Sequence, residues 1–421
     1  MSVPVSYSDI KAEVFSSVSE SLVRRFAADD DEVMRLIRQC IMECEGTRGL
    51  SPRQRSQMAH ELFNRIRRLD VLQDLLDDDT ITEIMVNGTD EIFIERQGRL
   101  MPAGVSFESK ERLSDIIGKI AANVNRTVNL SSPILDARLP DGSRVNAVLD
   151  PVAIDGPSLT IRRFPTRPID ASMLLSKGSI TEEVLEFLRK LVISGYNILI
   201  SGSTGCGKTT FLNIMSSFIP GDTRVLTIED SAELRIMGIR NLVRMETRSA
   251  TTNGCNEISI RDLIRTALRM RPDRIIVGEV RGEEAIDMLQ AFNVGQDGSL
   301  STIHANSAAD AISRLETMVM LSTNIPIAAL RRQIASGVDI IVHLGRLRDK
   351  SRHVLEVIEV ASDPDMGISI DPLYRFEEKE ERGGHIIGTL VKTGELMNTE
   401  KLRRAGMYAV PEEEEEIEPK Q

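Results

Sequence analysis

The stretch Gly202-Ser-Thr-Gly-Cys-Gly-Lys-Thr209 fits the pattern G-x-x-x-x-G-K-[ST] in full, and it constrains the fold more than any other feature of the chain. Its glycines let the backbone turn tightly and aim N–H groups at phosphate oxygens. Lys208 supplies a cation to the β- and γ-phosphates of a nucleotide, and the Thr209 hydroxyl binds Mg²⁺. Such a loop needs a buried strand before it and a helix after it, whose N-terminal end adds positive potential. Both flanks are present. Asn197-Ile-Leu-Ile200 reads as the strand, and Phe211 to Phe218 continues the helix until Pro220 stops it. The expected ligands are ATP and Mg²⁺. They would be held by Gly202, Ser203, Thr204, Gly205, Cys206, Gly207 and Lys208, followed by Thr209 and Thr210.

From about residue 186 the rhythm is strand, helix, strand. Apolar runs at 198–200, 225–228 and 275–277 are short and rich in β-branched residues, as buried parallel strands require. In open α/β sheets the ligand sits beyond the carboxyl ends of the strands. Two of these runs end in acids: Val225 to Asp230 in Glu229 and Asp230, and Ile275 to Glu279 in Gly278-Glu279. Many P-loop enzymes end the second of these strands in an Asp that holds Mg²⁺; here Gly278 takes that place and Glu279 follows. Glu279 is therefore the candidate to orient an attacking water, and Glu229 or Asp230 to hold Mg²⁺ through its water shell. The same acids could instead pair with Arg281 and Arg235. His304 follows a third strand, Ser299 to Ile303, and precedes a helix capped at Ser307, which suits a phosphate or interface contact.

The remainder divides by pattern. Residues 1–75 show helical spacing and form an N-terminal helical extension, with the acidic run Asp29 to Glu32 separating two helices. Residues 76–165 mix strands, such as 91–95 and 158–161, with a helix over 110–124, as an α+β domain. A linker at 166–185, containing Pro168 and Gly178, leads to the ATPase domain at 186–376, followed by a C-terminal segment at 377–421 whose Glu412 to Glu416 run is expected to be disordered. Cys40, Cys44, Cys206 and Cys255 suit a reducing compartment, and Cys40 and Cys44, one helical turn apart, read as helix-core residues. Net charge is −12, aromatics are 4% and Trp is absent, which argues against a nucleic-acid-wrapping surface. No apolar run reaches the roughly 18 residues of a membrane span. The expected location is cytoplasmic, docked on the inner face of the cytoplasmic membrane.

Together these segments resemble the ATPases of type II and type IV secretion systems, including pilus-assembly motors. Four boxes occur in order: the P-loop at 202–209, TIEDSAEL at 227–234, RPDRIIVGEVRG at 271–282, and GSLSTIHANSAADAISRLETM at 298–318. Ile84-Met-Val-Asn-Gly88, the stretch from Leu139 to Asn146, and LRRAG at 402–406 are most similar to the CpaF-like branch, which powers tight-adherence (Flp) pili. The resemblance extends over about residues 60 to 406. It implies a RecA-like P-loop ATPase core behind a smaller α+β domain, assembled as a homohexamer ring, splitting ATP to ADP and phosphate. It further implies that Arg144 and Arg162 reach the phosphates, that Arg271 acts in the neighbouring subunit's site, and that integral membrane platform proteins are partners. The alternatives are a DNA-transport or conjugation ATPase of the type IV class, and a P-loop phosphotransferase.

Overall fold

The computed structural model describes residues 6–23, 29–96, 98–139, 141–163, 170–248 and 256–408. Gln97, Pro140, Pro165, Pro168, Cys255 and the glutamate run at 412–416 lie outside the described residues. The chain divides into two units, Met1–Arg167 and Pro168–Gln421.

The first unit opens with helices α1 (Tyr7–Val23), α2 (Asp30–Glu43), α3 (Pro52–Arg67) and α4 (Leu72–Asp77). The acidic run does not separate helices as expected; it starts one. Asp29 caps α2 by accepting from the Glu32 N–H, and the acids that follow favour the positive end of the helix. Ser51 and Gln54 form a reciprocal capping box on α3, with Pro52 at its first position. Val14, Val18, Ile37, Met58 and Leu62 make a small core between these helices, and Cys40 is buried beside them with a free thiol.

A sheet and one helix complete the unit: β1 (Ile81–Asn87), β2 (Glu91–Arg96), β3 (Arg99–Pro102), α5 (Lys110–Asn123), β4 (Ile134–Arg138), β5 (Arg144–Val148) and β6 (Ser158–Arg162). The strand order is β3-β2-β1-β6-β5-β4, and its pairs are antiparallel. Alternation places Ile84, Val145, Leu159 and Ile161 in one core with Leu113, Ile117 and Ile120 of α5. The other face mixes polar residues such as Asn146 and Thr160 with apolar ones such as Met85 and Phe93, all in one cross-strand row.

The second unit begins with α6 (Ala171–Ser176) and α7 (Glu182–Ile193), so helices occupy part of the expected linker. Next come β7 (Ile198–Gly202), α8 (Lys208–Ser216), β8 (Arg224–Glu229), β9 (Asn241–Glu246), α9 (Ile260–Ala267), β10 (Arg274–Val280), α10 (Glu284–Asn293) and β11 (Leu300–Ile303). The unit closes with α11 (Ala308–Ser322), α12 (Ile327–Gly337), β12 (Ile340–Arg346), β13 (Arg352–Ala361), β14 (Ser369–Arg382), β15 (His385–Lys392) and α13 (Glu400–Arg404). The sheet order is β15-β14-β13-β12-β7-β11-β10-β8-β9.

From β12 to β9 the pairs are parallel; β13, β14 and β15 continue the sheet antiparallel. The expected break after 376 therefore falls inside β14, because that long strand hydrogen-bonds on both sides before turning into β15. Ile198 and Ile200 of β7 pack with Leu188, Phe211 and Leu212 on one face. Leu199 packs with Ile264, Leu289, Leu315 and Ile334 on the other. A central strand covered on both faces favours apolar side chains, as in Ile198 to Ile200; the one polar side chain, Ser201, is paired with His343 Nδ1 at 2.9 Å. The architecture is an α/β ATPase-type core preceded by an α+β domain.

Candidate active site

Four neighbouring parallel strands, β7, β11, β10 and β8, end on the same edge of the sheet. Each delivers one part of the site just beyond its carboxyl end: the phosphate loop, His304, Glu279 and Glu229.

The loop is held by fit as well as by hydrogen bonds. A Cβ on Gly202 would lie 2.4 Å from the Leu344 carbonyl and 2.5 Å from the Cys206 sulfur, so only glycine can occupy that position. Gly207, at φ 102°, caps α8 in the left-handed conformation that L side chains resist. Cys206 turns its side chain inward, where burial pushes the thiol up; only its backbone is left to meet a ligand. Ser203, Thr204 and Gly205 are exposed on the loop, and Thr209 and Thr210 lie half-buried in the first turn of α8. Lys208 is buried, and its Nζ donates to the carbonyls of Gly202 at 3.0 Å and Ser203 at 3.1 Å. Burial holds its ammonium below the usual lysine range.

The second group surrounds Glu279. Its Oε2 accepts from Arg281 Nη2 at 2.8 Å. Its Oε1 lies 2.7 Å from His304 Nε2, a close approach without the alignment of a hydrogen bond. His304 Nδ1 is in turn 3.3 Å from Lys208 Nζ. Burial lowers the His304 pKa, opposed by the Glu279 carboxylate, so the imidazole favours its neutral form. Of the two arginines weighed as plain partners for the acids, Arg281 takes that part: besides Glu279, its Nη1 stands 3.5 Å from Asp230. It lies two residues after Glu279, just past the end of β10, close enough along the chain for its guanidinium to turn back onto the carboxylate. That was the signal available for it in the sequence.

Glu229 and Asp230 divide sharply. Asp230 is partly exposed beside Arg281. Glu229 is buried, and its Oε2 accepts from the N–H groups of Glu233 at 2.7 Å and Leu234 at 2.8 Å. Its Oε1 is buried with no hydrogen-bond partner. Burial raises this carboxyl to about 7. Its Cγ lies 3.1 Å from where a Cβ on Gly278 would stand. The glycine thus makes room, and the carboxylate that another residue at 278 could have carried comes from the adjacent strand. Among the described residues no group of three or more His, Cys, Asp or Glu forms a ready metal cage. Thr209, Asp230 and the unpartnered Glu229 Oε1 nevertheless offer oxygen donors of the hard kind that suits Mg²⁺.

Three expected arginines are not carried by these four strand ends. Arg144 and Arg162 belong to the first unit, directly opposite each other on β5 and β6. Arg144 also pairs with Asp136 at 2.9 Å, and Arg162 faces Glu83 on β1. Arg271 is exposed, at φ 54°, just before the amino end of β10. The P-loop lies at the opposite edge of that parallel sheet. A seven-residue strand, at about 3.3 Å per residue, separates them by roughly 20 Å, so Arg271 does not reach the P-loop of its own chain.

Comparison with known proteins gives a consistent result. Residues 67–401 match the family described as type II/IV secretion system protein. The conjugal transfer protein TrbB of Rhizobium radiobacter is 35% identical over 290 residues, covering 68% of this chain and 85% of the relative. The type IV secretion system protein PtlH of Bordetella pertussis is 34% identical over 302 residues, covering 66% and 89%. The structure of the Legionella pneumophila ATPase DotB aligns with a TM-score of 0.51 at 23% identity, over 70% of this chain and 80% of that one, a likeness of fold.

Proposed function

Because the chain belongs to the type II/IV secretion system protein family, we propose that it is an ATP-hydrolysing motor that powers a pilus or a related secretion machine. The observation that carries this reading is the meeting of Lys208, His304 and Glu279 at the ends of adjacent parallel strands, with the Lys208 ammonium 3.3 Å from His304 and the Glu279 carboxylate 2.7 Å from it. A catalytic carboxylate beside a phosphate-binding cation is the arrangement phosphoanhydride hydrolysis needs.

The roles follow from the contacts. Lys208 exchanges the Gly202 and Ser203 carbonyls for β- and γ-phosphate oxygens. Glu279 orients water, with Arg281 and His304 fixing its carboxylate. Thr209, Asp230 and Glu229 hold Mg²⁺, which supplies charge neutralisation on the phosphates when bound. Arg144 and Arg162, like charges facing each other across two strands, suit a polyanion. Arg271, out of reach of its own P-loop, suits the site of a neighbouring subunit in a homohexamer.

The motor works at the inner face of the cytoplasmic membrane with integral platform proteins. Among the described residues no helix is long and apolar enough to cross a membrane. The finer reading is a CpaF-like motor for tight-adherence pili, carried by the segments at 84–88 and 402–406. A relative named for conjugal transfer favours a second reading, a type IV motor for DNA transfer.

Phosphate release by purified protein, compared with Lys208→Ala, tests the core claim: activity should vanish in the variant. Wild-type turnover in Lys208→Ala would remove it. Light scattering with and without ATP tests the ring, and capture of membrane proteins on the immobilised chain distinguishes pilus platforms from conjugation components.

A further inference from the structure

The β12–β13 hairpin brings two more arginines to the flank of the phosphate loop. Arg346 ends β12, Arg352 begins β13, and the two are paired across the strands. On its other side β12 pairs with β7, Leu344 opposite Gly202, so the hairpin rises directly beside the loop. The approach is close. A Cβ on Gly205 would lie 4.0 Å from Cζ of Arg346, and one on Gly207 would lie 3.8 Å from Cδ of Arg352. Both are ordinary contact distances, so the two side chains stand directly against the loop.

Both arginines are exposed, and the Arg346 guanidinium has no hydrogen-bond or ion-pair partner among the described residues. Like charges directly opposite on neighbouring strands repel. Here the repulsion is compounded by Lys208 and by the positive end of α8, which starts at Gly207. Such a concentration of positive charge is stabilised by an anion.

The orientation of that anion follows from the rest of the site, and this step rests on the ATP reading above. The β11 and β10 flank of the loop carries His304 and Glu279; the β12 flank carries the arginines. If Glu279 is to orient the attacking water, the γ-phosphate lies on its side of the loop. The α-phosphate and the ribose end then fall towards the hairpin. We propose that Arg346 and Arg352 bind the α- and β-phosphate end of the nucleotide, the part that ATP and ADP share. The pair tethers the nucleotide before and after hydrolysis and takes no part in the chemical step.

The test is binding of ADP and of a non-hydrolysable ATP analogue to the full chain. Arg346→Gln, Arg352→Gln and the double variant are compared with wild type, with Lys208→Ala as reference. The double variant should lose about tenfold or more in affinity for both nucleotides, as removal of charged hydrogen bonds implies. KM should rise by the same factor, with kcat within about twofold of wild type, the signature of uniform binding. ADP affinity unchanged in the double variant, while Lys208→Ala weakens it, would overturn the arginine assignment and leave the ATP site standing. A fall in kcat with ADP affinity intact would also overturn it, by placing the arginines at the γ-phosphate. ADP binding indifferent to Lys208→Ala as well would overturn the ATP site itself, and the arginine assignment with it.

Discussion

Glu229→Gln isolates the energetics of a carboxyl buried at the centre of the site. Glu229 is 2% exposed, and burial raises its pKa from 4.5 to about 7, against the opposing pull of the Leu234 and Glu233 N–H groups and of Arg244. Between those two values the folded protein keeps a proton that the unfolded chain has released. The stability tied to that proton is therefore complete below about pH 4.5 and is lost as pH rises through about 7. The gap, 7 − 4.5 = 2.5, corresponds to about 3 kcal/mol in total. Most of it falls between pH 5 and pH 8.

The Gln variant keeps the acceptor for Glu233 and Leu234 and does not titrate. Any cost of placing an amide there is the same at both pH values. For the second unit, 168–421, each kcal/mol moves the melting temperature by about 2–4 °C. The variant should therefore gain roughly 5–10 °C on wild type between pH 5 and pH 8. Scanning calorimetry on the full chain, with chelator and without nucleotide, measures this. Melting temperatures that keep a constant offset across that range would mean that Glu229 is already ionised in the folded protein. The burial argument would then be wrong.

Three further outcomes are expected. Glu279→Gln should keep nucleotide affinity and lose about 10²-fold or more in phosphate release, the scale of a positioned base; normal turnover there, with loss in Glu229→Gln, would reverse the two roles. Gly278→Ala should destabilise the second unit by about 1–3 kcal/mol in thermal melts, because its Cβ would stand 3.1 Å from the buried Glu229 Cγ. Mixing Arg271→Ala with Glu279→Gln protein should restore part of the ATPase activity that each lacks alone, because some interfaces then carry both residues intact. No recovery in confirmed mixed rings would place Arg271 outside catalysis.

The sequence by itself determined whatever is written in contiguous residues. Eight consecutive positions make the phosphate loop, since the turn, the cation and the hydroxyl lie within one short stretch and glycine, lysine and threonine each admit one role there. The acidic strand ends were legible for the same reason: an apolar run followed by carboxylates marks both a buried strand and the edge it reaches. Only the tertiary structure decided which of these residues meet. His304 stands 96 residues from Lys208 along the chain, and the two come within 3.3 Å because β11 lies between β7 and β10. The same order explains Gly278, whose missing side chain is accounted for by Glu229 on the neighbouring strand. It also brings Arg346 and Arg352 to the loop, although nothing local distinguishes them from other surface arginines. Strand order is fixed by burying all the apolar faces of the sheet at once, with every inner strand hydrogen-bonded on both sides. No short window of sequence contains that condition, so contacts across the sheet appear only when the whole unit is folded.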